Sequence, residues 1–339
     1  MSKLLAGLML FAMFSCESDP NVSQISSEYD ATLFVENIEA TKKFYESYDG
    51  VLISVDDARS TNARGSSVEE QVSILKSRVI GGYQTILDQL TTDFAQYNNT
   101  PITVLKKGNG GKMHELILNA EGLDVGYSME HGLLGTLMYY QASKMLSPSM
   151  SLKDLDVVRA YYGDFSTPAN APGLKYLAAL LNNFDKKSGT TYHIDIEASM
   201  LQLQNAIKGG NDFISDKNEA IKNIKSQWEK GTMSLLMHHM MMMKKHLQTA
   251  SSDEQSKLSF VKEYSIGTGL LIGWRSILNN YKNISDADVK YMMNLMLMTE
   301  RTTDPLRMLE YPVEASGNIE KCMKKITEIY GISIEELGL

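Results

Sequence analysis

The sequence predicts an all-α protein, an antiparallel helical bundle with room for two helical subdomains. Three observations predict it. Apolar residues recur at helical spacing through long stretches of the chain. Those stretches are dominated by Leu, Met, Ala, Lys, Glu and Gln, which lose little rotamer freedom in a helix, and only 7 of the 339 residues are proline. The breaks between stretches are mostly short, and short connections place successive helices antiparallel. With 43% hydrophobic and 22% charged residues, the chain carries enough apolar surface for a sizeable core. Its formal charge of -8 makes nucleic acid a poor partner, because phosphates demand clustered Lys and Arg.

Taken in order, the chain opens with one basic residue, Lys3, an apolar run from Leu4 to Phe14, and the small residue Ser15 directly before Cys16. That layout is a signal peptide over residues 1–15, too short in its apolar core to span a membrane permanently. Met13-Phe14-Ser15-Cys16 resembles the lipobox at which bacterial lipoproteins are cut and lipidated, although Phe14 stands where a small residue is usual. Cys16 is therefore the expected lipidation site, residues 16–30 a polar flexible tether, and residues 31–339 the body. This implies export, and membrane attachment at the outer membrane or cell surface through the lipid.

In the body, Val72, Leu75, Val79, Tyr83, Ile86, Leu90 and Phe94 predict a helix over Val68–Tyr97. Turn residues at 98–101 and 108–111 interrupt it, and a second helix is expected from Leu123 to Met145. Ser147-Pro148-Ser149 breaks the chain, and Ser151 with Asp154 reads as the next helix cap. Gly163, Pro168, Pro172 and Gly173 leave space only for short helices, which would allow a subdomain hinge near 163–173. Long helical patterns follow at 194–208, 217–247 and 251–281, then at 285–298 and 316–330 behind serine caps. Cys322 lies on the apolar face of the last one and reads as a buried free thiol, since the two cysteines do not have metal-knuckle spacing.

Several segments approach a chemical motif and depart from it. His114-Glu115 begins a zinc-protease helix, but Leu118 replaces the second His, so that reading is rejected. Gly126-Tyr127-Ser128-Met129-Glu130 lacks the closing Gly of a serine-hydrolase elbow and reads as helix interior. Gly269 and Gly273, one turn apart in an apolar helix, predict a close backbone approach within the bundle. The small acidic clusters lack the register of a calcium loop.

The most unusual stretch is Met233 to His246. On a helix His239 and Met243 are one turn apart, as are His238 with Met242 and Met242 with His246, so imidazole and thioether groups converge on one face. Such donors suit monovalent copper or a haem axial pair. The competing reading is that Met fills core gaps while the histidines sit at the helix edge.

The segment Gly122-Leu123-Asp124-Val125-Gly126-Tyr127-Ser128-Met129-Glu130-His131-Gly132-Leu133-Leu134-Gly135 resembles a helix signature of imelysin-like lipoproteins, in a branch with a Glu-Lys-Gly-Leu pattern where this chain has His131 for Lys. Ile224 to Lys230, Glu263 to Gly273 and Ile284 to Val289 resemble further family segments in the same order. The resemblance implies an all-helical double bundle on the outer envelope, with a role in iron or haem uptake. It carries no catalytic residue over: aligned on Gly126, Ser128 and His131 stand where the family's Gly-x-His-x-x-Glu motif has its His and Glu. The branch's Trp-Asp-Glu-Ala-Phe signature is also missing from the middle section.

The function expected is accordingly non-enzymatic: a lipid-anchored binding protein, in iron or haem uptake, working with a partner protein of an envelope uptake system. Glu130, His131, His238, His239, Met242, Met243 and His246 are the expected ligand-binding residues, with His239, Met243 and His246 as metal donors for iron, haem iron or copper. Two alternatives stand beside it, a structural or interaction lipoprotein with no small ligand, and a degenerate metal-dependent hydrolase.

Overall fold

The computed structural model describes residues 26–60, 68–167, 173–250, 253–299, 302–335 and 337. Cys16, the signal segment and most of the expected tether lie outside them. The described part of that tether is anchored. The Ser26 amide donates to Asn205 Oδ1, the Asp30 amide donates to Gln204 Oε1, and the Tyr29 hydroxyl donates to Asp156. The expected 16–30 tether is therefore docked onto the body from residue 26 onward.

The architecture is all-α, a helical bundle with one small hairpin. Helices α1 (Phe34–Ile38) and α2 (Lys42–Ser60) come first. Phe44, Tyr48, Val51, Val55 and Ala58 repeat at helical spacing and are all buried, which is why α2 forms although it falls in a segment without a strong cap.

The single helix expected over 68–97 is two, α3 (Val68–Lys76) and α4 (Gly81–Tyr97). The cause is tertiary. Val79 and Ile80 turn into the core, the Ile80 amide donates to the Thr136 carbonyl, and Gly81-Gly82 gives the backbone little reason to stay helical through the bend. A hairpin of β1 (Gly111–Met113) and β2 (Leu116–Leu118) follows, with His114 at its turn in the left-handed region, φ 54°.

Helix α5 (Val125–Leu133) begins at Asp124, whose carboxylate accepts from the Tyr127 amide. It runs through a π-helical segment (Leu134–Tyr139) into α6 (Tyr140–Met145), filling the predicted 123–145 span. Helix α7 (Leu152–Tyr162) carries the predicted cap at Ser151 as a full capping box with Asp154. It ends at Gly163, φ 103°, where a Cβ would lie 2.1 Å from the Lys175 carbonyl.

That glycine closes a loop. Phe165 and Lys175 amides donate to the Gly173 and Gly163 carbonyls, so both ends of the expected hinge segment are tied to each other. Beyond it the irregular middle holds a longer helix than expected, α8 (Tyr176–Ser188), with Leu177, Leu181 and Phe184 on its buried face.

The centre is formed by α9 (Tyr192–Gly209), α10 (Ile214–Leu247) and α11 (Glu254–Ser276). These successive helices pack along one another, α5 packs along α11, and α4 packs along α5. Helices α12 (Asp286–Leu295), α13 (Pro305–Glu310) and α14 (Pro312–Tyr330) complete the body, α14 lying against α10 and α12. Cys322 is a buried free thiol, its ionisation pushed up to about 12 by burial. One apolar cluster runs through the described residues from Phe34 to Leu337. No helix among them is long and apolar enough to cross a membrane.

Candidate functional site

A close helix crossing sets up the site. A Cβ at Gly269 of α11 would sit 2.6 Å from the Ser128 carbonyl and 3.0 Å from His131 Cβ, and one at Gly273 would sit 2.8 Å from the Gly132 carbonyl. Only glycine allows α5 to lie this near α11, as the spacing of the two residues predicts. The approach carries His131 of α5 over to His239 of α10, where the two rings meet edge to face with centroids 6.3 Å apart.

Each ring is held from behind. His239 Nδ1 lies 2.5 Å from Glu263 Oε2 of α11, and both side chains are more than four-fifths buried. His131 Nδ1 lies 3.0 Å from the Tyr127 carbonyl. A carbonyl only accepts, so Nδ1 of His131 carries the proton and Nε2 carries the lone pair. Burial, and then the neighbouring His239, hold the His131 ring down at about 3, so it is neutral at physiological pH. Burial by itself would push the Glu263 carboxyl up, but the His239 hydrogen bond and the surrounding imidazoles hold it below its ordinary value. Glu263 is thus an anionic acceptor for His239 Nδ1.

His238 completes the group. Its ring lies 5.5 Å from that of His239 and 5.9 Å from that of Phe184, and its buried Nδ1 has no hydrogen-bond partner among the described residues. Burial, and then His239, keep its ionisation below the ordinary value.

The other expected residues divide. His246 lines a cleft of about 300 Å3 together with His114, Glu115, Lys262 and Glu263, so it reaches the cluster across Glu263 rather than along its own helix. Met242 is half-buried. Met243, expected as a thioether donor beside His239, is fully buried, its methyl directed at the Gly267 backbone. Met233, Met237 and Met240 are likewise fully buried, so the Met run of α10 is mostly core. The expected donors His239, Met243 and His246 do not converge: α10 turns Met243 into the core, and His239 is paired with Glu263 of α11.

Glu130 leaves the cluster altogether. Its carboxylate pairs with Arg59 of α2 at 3.0 Å, and that guanidinium also lies 3.5 Å from Asp124 and stacks 3.6 Å over the Tyr127 ring. Burial pushes the Glu130 carboxyl up to about 7, and Arg59 offsets this only in part.

Sequence reasoning missed Glu263, although it opens one of the segments singled out and is a lone acid entering an apolar run. It also missed the Arg59 partner of Glu130, for which no local signal exists, since the two lie 71 positions apart. Among the described residues no group of three or more His, Cys, Asp or Glu side chains is placed to hold a metal ion. The arrangement instead brings two imidazole rings into edge-to-face contact, one of them backed by a carboxylate. The chain matches no protein-family model, no curated protein and no solved structure.

Proposed function

We propose that the protein is a lipid-anchored envelope protein that binds a transition-metal ion or its chelate, haem included, through His131 and His239. The observation that carries this reading is His239 held by Glu263 at 2.5 Å with neutral His131 alongside. A histidine whose inner nitrogen is fixed by a carboxylate presents its outer nitrogen in one orientation, the arrangement that supports metal-bound imidazoles in general. Two protein donors with open positions suit a cargo that must be released, whereas a closed four-ligand set suits a structural ion. Export rests on the layout ending at Cys16, and iron uptake with a partner protein of the envelope rests on the family resemblance.

The test is titration of the purified protein with Fe2+, Zn2+, Cu+ and haemin, followed calorimetrically and by absorbance. Stoichiometric binding by one probe is expected. It should be abolished in the His131→Ala/His239→Ala double variant and weakened about 10–100-fold in Glu263→Gln, which keeps the ring but loosens its hold. A folded protein that binds none of the four sinks the reading.

A second reading, an interaction module with no small ligand, is favoured by one observation: four of the methionines of α10 are wholly core. It predicts that the double variant changes stability alone.

A further inference from the structure

A strap at the N-terminal end fixes where the chain joins the body. Residues 26–30 are tied to the last turns of α9 by two side-chain amides, each of which pairs with both backbone groups of one strap residue. Asn205 accepts from the Ser26 amide at 3.3 Å and donates to the Ser26 carbonyl at 3.0 Å. Gln204, which is buried, accepts from the Asp30 amide at 2.8 Å and donates to the Asp30 carbonyl at 2.9 Å. Lys208 adds an ion pair to the Asp30 carboxylate at 2.8 Å, and the Arg159 guanidinium stacks 4.4 Å over the Tyr29 ring.

This docking limits how the body can stand. Ten Cα steps separate Cys16 from Ser26, so a lipid on Cys16 holds Ser26 within about 33–36 Å of the bilayer even at full extension. Helix α10 begins at Ile214, just past the end of α9 that carries the strap, and its 34 residues run for about 51 Å. Near its far end Lys244 pairs with Glu320 of α14, the helix whose first turn holds Val313. The tether is shorter than the bundle, so the body cannot invert to stand on its Val313 end.

The end that the tether holds down is also apolar. Leu33 and Val35 flank the buried Phe34 and are 57% and 66% exposed, and Ile214 is 52% exposed. Apolar side chains gathered at one end of a body leave water at a gain when they enter a lipid boundary. The same segments carry the exposed carboxylates Glu28, Glu36, Asp212 and Asp216, which an anionic headgroup layer would repel.

We propose that this end of the bundle is a membrane-docking surface, with Leu33, Val35 and Ile214 entering the headgroup boundary of a zwitterionic bilayer. The inference rests on Cys16 carrying the lipid anchor, and it names the face that the anchored body turns to the membrane.

The experiment uses the full chain purified from membranes and reconstituted in phosphatidylcholine–phosphatidylethanolamine vesicles containing brominated lipid. A fluorophore is attached in turn to Val35→Cys, Ile214→Cys and Val313→Cys; Cys322 is buried and stays unlabelled. Val313, 87% exposed, is the control at the far end. Quenching of at least about twofold is expected at 35 and 214 and none at 313, because only side chains in the headgroup boundary come within reach of the bromines. Leu33→Asp in the Val35→Cys chain should reduce the quenching at 35 with circular dichroism unchanged, and so should replacing half the lipid by phosphatidylglycerol. Intact mass separates the two ways of failing. A chain without lipid on Cys16 overturns the anchor reading and this inference with it. A lipidated chain quenched equally at all three labels, or at neither 35 nor 214, overturns the docking surface alone, the second result leaving those side chains to a protein partner. Quenching that rises with phosphatidylglycerol overturns the zwitterionic assignment.

Discussion

Two buried acids show how burial and partners divide at the scale of single residues. Glu130 sits beside Arg59 and is nonetheless pushed up to about 7, because removing its charge from water outweighs the pairing. Its folded value lies above the ordinary value of 4.5, so between those values the folded chain keeps a proton that the unfolded chain has released. The stability this group contributes is then greatest at low pH and is lost as pH rises toward 7. Urea midpoints of the wild type and Glu130→Gln at pH 5 and pH 8 check this. Relative to the variant, the wild type should be more stable at pH 5 than at pH 8, by at least about tenfold in the folding equilibrium. An equal difference at both values would show that the carboxyl stays ionised throughout.

Glu229 is likewise pushed up by burial, against three hydrogen bonds that favour its charged form. It is fully buried in α10 and accepts from the Asn283 and Ile284 amides and from the Tyr330 hydroxyl, fastening the start of α12 and the end of α14. Glu229→Ala would leave two backbone donors and a phenol without their acceptor, and a loss of about 3 kcal/mol or more is expected in denaturant unfolding. A loss under about 1 kcal/mol would mean that water replaces the carboxylate.

Helices were readable from the sequence wherever their own residues decided the outcome. Ser151 with Asp154 caps α7 as their spacing predicts, and the 34-residue α10 follows the apolar pattern from 217 to 247 closely. Where a distant element decided, the sequence misled or was silent. The bend at Ser77–Ile80 exists because Ile80 bonds to Thr136, and the loop closed by Gly163 and Lys175 exists because the chain returns to it. The crossing of α5 over α11 belongs to this scale and is testable through its glycines. Alanine ordinarily favours a helix over glycine by about 1 kcal/mol, so an open site should gain from the change. Gly317 of α14 has nothing within 4 Å, and Gly317→Ala should stabilise by about 0.5–1 kcal/mol. Gly269→Ala should destabilise by about 1–3 kcal/mol through its clash with the Ser128 carbonyl, and should loosen His131 from His239 as α5 moves away. Opposite signs in thermal unfolding are the expected result, and a gain in both would show that the helices separate at no cost.

At the scale of the whole molecule, the histidines of the site were legible and their assembly was not. His131, His238 and His239 stand out as residue types, but Glu263, which orients His239, and the inward turn of Met243 follow from how α10 meets α11. The cleft of about 520 Å3 that Asp93 lines between α4, α5 and α11 was invisible for the same reason, since Gln89, Asn119 and Thr303 are unremarkable until α4, the 119–123 turn and Thr303 close around one space. This assembly bears on how the body unfolds. Its apolar cluster is continuous from α1 to α14, and α10 packs against α8, α9, α11 and α14, elements on its own side of the 163–173 loop, while α7 contacts α8 and α9, and α4 and α5 contact α11, across it. With no apolar gap at the loop, neither half can expose its core without exposing that of the other, and unfolding should be cooperative across the loop. Scanning calorimetry should give one transition, with a calorimetric enthalpy close to the van't Hoff enthalpy. Two resolved transitions, or a calorimetric enthalpy about twice the van't Hoff value, would instead mean that the segments before and after 163–173 unfold as separate units.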